Sequence, residues 1–272
     1  MPLTFVDKKK HWPPPKPVQY LLAILVLCAA VAILAGWLYV RFIYTEPAGT
    51  DTSDNTTRTE TELPDASYCL IVIEDAGYER FALIKADPLG ESVSVMALSP
   101  STETDNGTLA HVLQKHGAAR VTQTVASHLN IPVTNFLSFS IADVQNLFTK
   151  LGENLQCTLT EEVTYRDENG AIVRLTADKR ALTPKQITAV LRHTEWKTEE
   201  NSTNVAADLS AALINQCLRP KRSLKGYFEL LSNTAHTNLR IDHYNAYLSG
   251  WEHLASVNDG DLAKRVEWIT HP

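Results

Sequence analysis

An α/β sandwich around a mixed central sheet, preceded by one transmembrane helix, is the architecture this 272-residue sequence predicts. Three observations carry it. Val18 to Val40 is an uncharged apolar run. From Tyr68 onward, short strand-like segments alternate with stretches of helical periodicity, and no second linker interrupts them before the C-terminus. Interleaving of this kind favours helices layered on a sheet.

The apolar run, VQYLLAILVLCAAVAILAGWLYV, carries no charge in 23 positions. At about 1.5 Å per residue such a helix reaches roughly 35 Å, enough for a hydrocarbon core of about 30 Å. Tyr20, Trp37 and Tyr39 sit near its ends, where amphipathic rings favour the interface. Lys8, Lys9, Lys10 and Lys16 precede it and only Arg41 follows closely, so the N-terminus is expected inside and the rest outside. The run is longer than the apolar core of a cleaved signal peptide and no A-x-A site ends it, so it reads as a retained signal anchor. Cys28 lies mid-run, which does not suit a lipoprotein cysteine. The resulting division is a cytoplasmic tail at 1–17, an anchor at 18–40, a linker at 41–66 and one extracytoplasmic domain at 67–272. The linker core, TEPAGTDTSDNTTRTETELP, has too little apolar surface to offset the entropy of ordering it.

Within the domain, Tyr68–Ile73, Phe81–Lys85 and Ser92–Leu98 are apolar runs separated by AGYE and DPLGE turns, and predict neighbouring strands. Val121, Val125 and Leu129 predict a helix over Ala118–Leu129. A strand at Phe136–Phe139 and a helix at Ala142–Leu151, closed by Gly152, come next. Leu155–Leu159, Val163–Tyr165 and Ile172–Leu175 read as strands, the last two a hairpin around Asn169-Gly170. Helices are expected at Pro184–Arg192, Val205–Leu218 and His243–Leu254, and a last strand at Arg265–Ile269.

Composition narrows the function. Hydrophobic residues make up 44% and charged residues 21%, ordinary for a domain with a core. Setting aside the four lysines and Asp7 of the first forty residues leaves 21 bases against 30 acids, so the exported part has no electrostatic footprint for nucleic acid. Cys69, Cys157 and Cys217 lie in apolar stretches without a C-x-x-C pair and read as buried thiols. There is no G-x-S-x-G, P-loop, G-x-G-x-x-G or H-E-x-x-H motif, and His111 and His116 lie five apart, off the spacing of a helical metal pair. Glu74-Asp75, at the end of the first strand, is where a rigid sheet could present polar groups.

The order of segments resembles the LytR-CpsA-Psr family of cell-envelope proteins. LNIPVTNFLSFSIADVQNLFTKLGE follows the family's "lgipid.yv.id..gf..lvd.lGG" run. YCLIVIED is similar to its first strand ending in aspartate, and SVSVMALSPST to the strand ending in S-I-P-R-D-T. LTPKQITAVLRHT resembles "L-x-G-x-x-A-L-x-Y-V-R-x-R", and HTNLRIDHYNAYLSGWEHLA the late helix. Together these cover Tyr68 to Ala255.

The resemblance implies transfer of glycopolymers from a polyprenyl-pyrophosphate carrier to peptidoglycan, with arginines on the pyrophosphate and aspartates holding Mg²⁺. Guanidinium forks suit phosphate and a hard cation suits a departing phosphate. Residue by residue, Asp75 matches the first-strand aspartate and is the candidate metal ligand, while Arg80 stands at the family's second aspartate. Pro100 and Ser101 replace the arginine and aspartate of S-I-P-R-D-T. Arg192 matches the first arginine of R-x-R and Thr194 the second, while Ser202–Leu213 has neither arginine nor glutamine in place of "D..R..RQ". Asp75 and Arg192 are thus the residual catalytic candidates, and Arg80 and Arg192 the phosphate-binding ones.

Read through the resemblance, these substitutions imply a degenerate, membrane-anchored binding or interaction module for polyprenyl-phosphate-type lipids or other envelope partners, with the bilayer, such a lipid and peptidoglycan as expected partners. The rival is an active phosphotransferase using Mg²⁺ and other bases such as Arg80, Arg120, Arg174 or Lys179. An envelope-signalling protein that acts on transcription only indirectly is the third reading.

Overall fold

The computed structural model describes residues 63–75, 77–219 and 223–267. The expected anchor at 18–40, the tail before it and most of the linker lie outside these residues. Among the described residues no helix is long and apolar enough to cross a membrane.

The elements, in chain order, are β1 (Ser67–Ile73), β2 (Arg80–Asp87), β3 (Ser92–Leu98), the short β4 (Glu103–Thr104) and β5 (Gly107–Thr108), α1 (Leu109–Leu129), β6 (Asn135–Phe139) and α2 (Ile141–Leu151). They continue with β7 (Leu155–Thr158), β8 (Val163–Arg166), β9 (Ile172–Leu175), β10 (Lys179–Leu182), α3 (Pro184–Leu191) and α4 (Glu199–Cys217). Last come α5 (Leu224–Thr234), β11 (His236–Thr237), α6 (Ile241–Val257) and β12 (Ala263–Val266).

Six strands form the central sheet in the order β11-β6-β1-β2-β3-β12. The meander β1-β2-β3 is antiparallel, while β6 runs parallel to β1 and β12 parallel to β3, so the sheet is mixed as the sequence predicts. Alternation along each strand divides the core. Leu70, Val72, Phe81, Leu83 and Met96 pack with Val112, Val121 and Val125 of α1 on one face. Ile71, Ile73, Ala82 and Val95 meet the apolar sides of α2, α3, α4 and α6 on the other.

Local chemistry fixes the helices. Ser140 with Asp143, and Thr183 with Gln186, make capping boxes that start α2 and α3. Gly152 closes α2 at φ 69°. One difference from expectation and one close approach stand out. α1 begins at Leu109 instead of Ala118, because Gly117 at φ 76° and ψ 175° kinks the helix and breaks its periodicity. Gly250 of α6 could carry no side chain, since a Cβ there would lie 2.7 Å from Pro88 and 2.8 Å from Pro64.

Among the described residues three two-stranded ribbons, β4 with β5, β7 with β10 and β8 with β9, lie outside the main sheet. Cys69, Cys157 and Cys217 form no disulfide. Burial pushes the Cys69 and Cys157 thiols up to about 12.

Candidate functional site

The antiparallel and parallel pairings bring four strand ends to one edge of the sheet. Ile73 at the end of β1 pairs with Arg80 at the start of β2 and with Phe139 at the end of β6. Phe81 of β2 pairs with Leu98 at the end of β3. Glu74 extends the β1–β6 pairing by donating its N–H to the Phe139 carbonyl at 2.7 Å.

Asp75 and Arg192 meet at this edge. Arg192 follows α3, and its Nε and Nη2 both donate to Asp75 Oδ2, at 3.2 and 3.0 Å. The pair is open to solvent, with 57% of the Arg192 side chain and 30% of that of Asp75 exposed. Its position is set from behind. Buried Glu161 accepts the Lys197 N–H at 3.0 Å and the Asn201 amide at 3.3 Å, and Trp196 donates to the His193 carbonyl at 2.7 Å. These bonds fix the loop that joins Arg192 to α4.

Arg80 is placed differently. It is buried, its Nη1 donates to the Glu79 carbonyl at 2.9 Å, and its Nε has no partner among the described residues. Burial holds its guanidinium below the ordinary value, with Glu79 acting in the opposite direction. Glu79 in turn accepts the Gln114 amide at 3.0 Å. The other candidate bases lie elsewhere: Arg120 on α1 bonds Gln123 at 3.1 Å, Arg174 lies on β9 and Lys179 on β10. None of them bonds Asp75 among the described residues.

Beyond β3 the edge carries a hydroxyl–carboxylate cluster. Ser99 and Ser101 are 2.7 Å apart, and both donate to Glu199 Oε1 in the first turn of α4, at 3.1 and 2.8 Å. The two hydroxyls, Ser101 foremost, hold the Glu199 carboxyl below its ordinary value. Glu74 likewise accepts the Ser138 hydroxyl. Glu161 and Glu199 were not read as site residues from sequence, because their partners lie 36 to 100 positions away.

No three or more His, Cys, Asp or Glu side chains converge on a metal position among the described residues. Asp75 gives one oxygen to Arg192, and its acidic neighbours are taken by neutral donors, so this donor set does not fit Mg²⁺ and no step is derived through it.

Behind the ion pair lies an apolar cavity of about 250 Å³ between the β1–β6 face and the helices. Ile73, Phe139 and Leu191 line it at the Asp75–Arg192 end, while Leu213, Phe228 and Trp251 belong to α4, α5 and α6. A cavity of this size is far above the minimum for one water and has room for a short hydrocarbon segment. α5 has an apolar side turned to the cavity and no fully buried residue.

This geometry, a three-layer mixed sheet with a polar edge over an apolar cavity, defines a fold class shared by solved bacterial proteins. No family model matches the chain, and no curated protein matches its sequence. A candidate transcription regulator from Eubacterium siraeum superposes with a TM-score of 0.66 at 18% identity, over 82% of this chain and 90% of that one. TagV of B. subtilis gives 0.62 at 12% identity, over 75% and 85%. TagU of the same organism gives 0.54 at 16% identity, over 75% and 84%. TagV and TagU are LytR-CpsA-Psr proteins, and the fold of this chain is theirs.

Proposed function

We propose that the chain is a membrane-anchored, extracytoplasmic module of LytR-CpsA-Psr type that holds the isoprenoid chain of a polyprenyl-phosphate-type lipid and has lost the transfer chemistry. The observation that carries this reading is the apolar cavity, whose lining includes Leu191, the residue before Arg192, and Ile73, two residues before Asp75. Burial of apolar chain contributes about 25 cal/mol per Å², so such a cavity supplies affinity without any headgroup contact. The headgroup then lies at the sheet edge, where Arg192 is the exposed cation.

Loss of transfer follows from what surrounds it. Pro100 supplies no guanidinium, Ser101 and Thr194 are neutral, and α4 has no lysine or arginine along Glu199–Cys217. Each missing charge-assisted phosphate contact removes about 1.5–3 kcal/mol. The likeness in fold to TagV and TagU supports a role in the cell envelope. The Val18–Val40 run and the lysines before it support an anchor with the domain outside.

Mass spectrometry of lipids extracted from the membrane-purified full chain tests the reading, with an isoprenoid lipid at near-equal molar ratio expected. Its absence after mild extraction would overturn the proposal. A reporter fused at Pro272 tests the orientation: activity of a cytoplasm-only reporter contradicts it. In a single-turnover assay with Mg²⁺ and a labelled pyrophosphate-linked donor, no transfer above background is expected. Mg²⁺-dependent transfer abolished by Arg192→Ala would instead establish an active site.

A further inference from the structure

We infer that the hairpin from β7 to β10 is a membrane-docking arm, whose outer face carries Arg166, Ile172, Arg174 and Lys179 and lies on an anionic phospholipid surface. The inference rests on the membrane-anchored reading above and adds the face that meets the lipid.

The two ribbons form one arm. Leu159 donates its N–H to the Asp178 carbonyl at 3.1 Å, which links β7–β10 to β8–β9. Leu155, Cys157, Leu159 and Val163 alternate into the core, and the side chains between them are exposed. On the return strands Leu175 and Leu182 are buried, while Ile172, Arg174 and Lys179 are exposed. Arg166 stands opposite Ile172, and Arg174 opposite Thr164 one step along the same face. The two arginines are therefore diagonal neighbours, about 7–8 Å apart at the backbone.

None of the three bases bonds a carboxylate among the described residues; Arg166 donates to the Gly170 carbonyl at 3.2 Å. Nearby acids are engaged elsewhere. Glu168 pairs with Lys185 at 2.9 Å, Asp178 with Arg180 at 3.5 Å, and Asp167 accepts the Asn169 and Ala171 N–H groups in the turn. Glu162 is the exposed acid left on this face. In an exported part with 21 bases against 30 acids, the face runs against the overall charge.

A bilayer matches these residues better than a soluble polyanion does. Ile172 is 60% exposed and offers a phosphate chain nothing, but it can enter the headgroup boundary of a membrane. Arginine and lysine stems lie along apolar surface while their heads reach phosphate. Each base is drawn to an anionic surface and the acidic remainder is repelled, so charge selects one orientation.

That orientation suits the candidate site. The Gln216 amide bonds Glu153 at 3.1 Å and the Asn201 amide bonds Glu161 at 3.3 Å, so the arm runs antiparallel to α4 toward its N-terminal end. There Glu199 holds Ser99 and Ser101 at the polar edge of the sheet. Arg166 lies about 16 Å of strand beyond Glu161, so a docked arm turns that edge toward lipid headgroups.

The test places the full-length chain in lipid nanodiscs, either of phosphatidylcholine alone or mixed with phosphatidylglycerol, and reads a spin label at Ile172→Cys against the unsubstituted chain. In the anionic discs the label should lose contact with a water-soluble nickel chelate and gain contact with lipid-dissolved oxygen; in phosphatidylcholine it should stay in water. Each of Arg166→Gln, Arg174→Gln and Lys179→Gln should lower the docked-to-undocked ratio about fivefold, and the triple variant about a hundredfold. Hydrogen exchange of residues 164–174 in the unlabelled native chain supplies a second reading, with protection expected in anionic discs alone. A label and an exchange pattern indifferent to phosphatidylglycerol, or a triple variant that docks like the native chain, overturns the inference. Protection by soluble polyglutamate without any response to anionic discs also overturns it and gives the face to a polymer. Failure of the full chain to insert into either disc overturns the anchored reading itself, a distinguishable result.

Discussion

Arg192 reaches 117 positions back along the chain to place two nitrogens on a single oxygen of Asp75, across the gap between the end of α3 and the end of β1. Both side chains are partly open to solvent. Exposed ion pairs contribute little to folding, and the residues behind this one are locked by Glu161 rather than by the pair itself. The pair is therefore better understood as an arrangement of charge at a cavity than as a brace.

Arg192→Ala should accordingly cost at most about 1 kcal/mol. That corresponds to a melting shift below about 4 °C for a domain of this size, read by calorimetry. A drop beyond about 8 °C would mean that Arg192 is structural. Glu161→Ala should do the opposite, because it strips the Lys197 N–H and the Asn201 amide of a buried acceptor. A loss of about 2–3 kcal/mol is expected there.

The Glu199 cluster should respond to pH. Its carboxyl is held below the ordinary value by the Ser101 and Ser99 hydroxyls, so the tie between the β3 edge and α4 is present above the unfolded value. It is lost as pH falls through the depressed folded value. Carbon-detected NMR titration of Glu199 should show a midpoint that moves up in Ser101→Ala. An unchanged midpoint in both Ser101→Ala and Ser99→Ala would contradict this assignment.

How much of this was legible in the sequence depended on where each signal is written. Ser92–Leu98 is a strand with the bounds predicted for it, because buried and half-buried residues alternate between two turns. The kink at Gly117 hid the first half of α1, since Leu109, Val112 and Leu113 fall out of register with Val121 and Val125. α4 begins at Glu199 through the polar stretch Glu199–Asn204, which has no apolar period before Val205. α5 was legible in the spacing of Leu224, Tyr227, Phe228 and Leu231, which share one helical face, and was overlooked. β10 was missed because Lys179 and Arg180 mask its alternation. Asp75 and Arg192 were legible one at a time from their neighbours in sequence. Their bond was not, since no local pattern encodes a contact between the end of β1 and the end of α3.

A second charged pair, away from the site, should behave as a brace. Arg265 of β12 donates to Asp208 of α4 at 2.8 Å, and both side chains are largely buried. Burial raises the Asp208 carboxyl while Arg265 lowers it, with burial the larger influence. Arg265→Ala removes the opposing influence and leaves the folded-state value higher still. A raised carboxyl favours the folded protein below its unfolded value, and that advantage disappears as pH rises through the folded one. The variant should therefore be destabilised by about 1–3 kcal/mol at pH 7.5 and by visibly less at pH 4.5, in urea unfolding. Equal losses at both pH values would show that Asp208 does not carry the effect.

The cavity itself gives the last prediction. Leu213 of α4 lines it and is only partly buried, so a larger side chain there can extend into free space. Filling a void restores dispersion contacts that its walls lack, whereas overpacking a filled core costs about 1–3 kcal/mol. Leu213→Trp should thus leave the melting temperature unchanged or raise it, and at the same time weaken binding of a polyprenyl lipid by about tenfold or more through occupied volume. The separation of the two readouts is what matters. Arg192→Ala removes a headgroup contact and leaves the chain its room, so its effect should vary with headgroup charge. Leu213→Trp should weaken alcohol, monophosphate and pyrophosphate forms alike. If the substitution destabilises the fold by more than about 2 kcal/mol, the space is not available as described. If it stabilises the protein and every lipid still binds as before, the chain does not lie in this cavity.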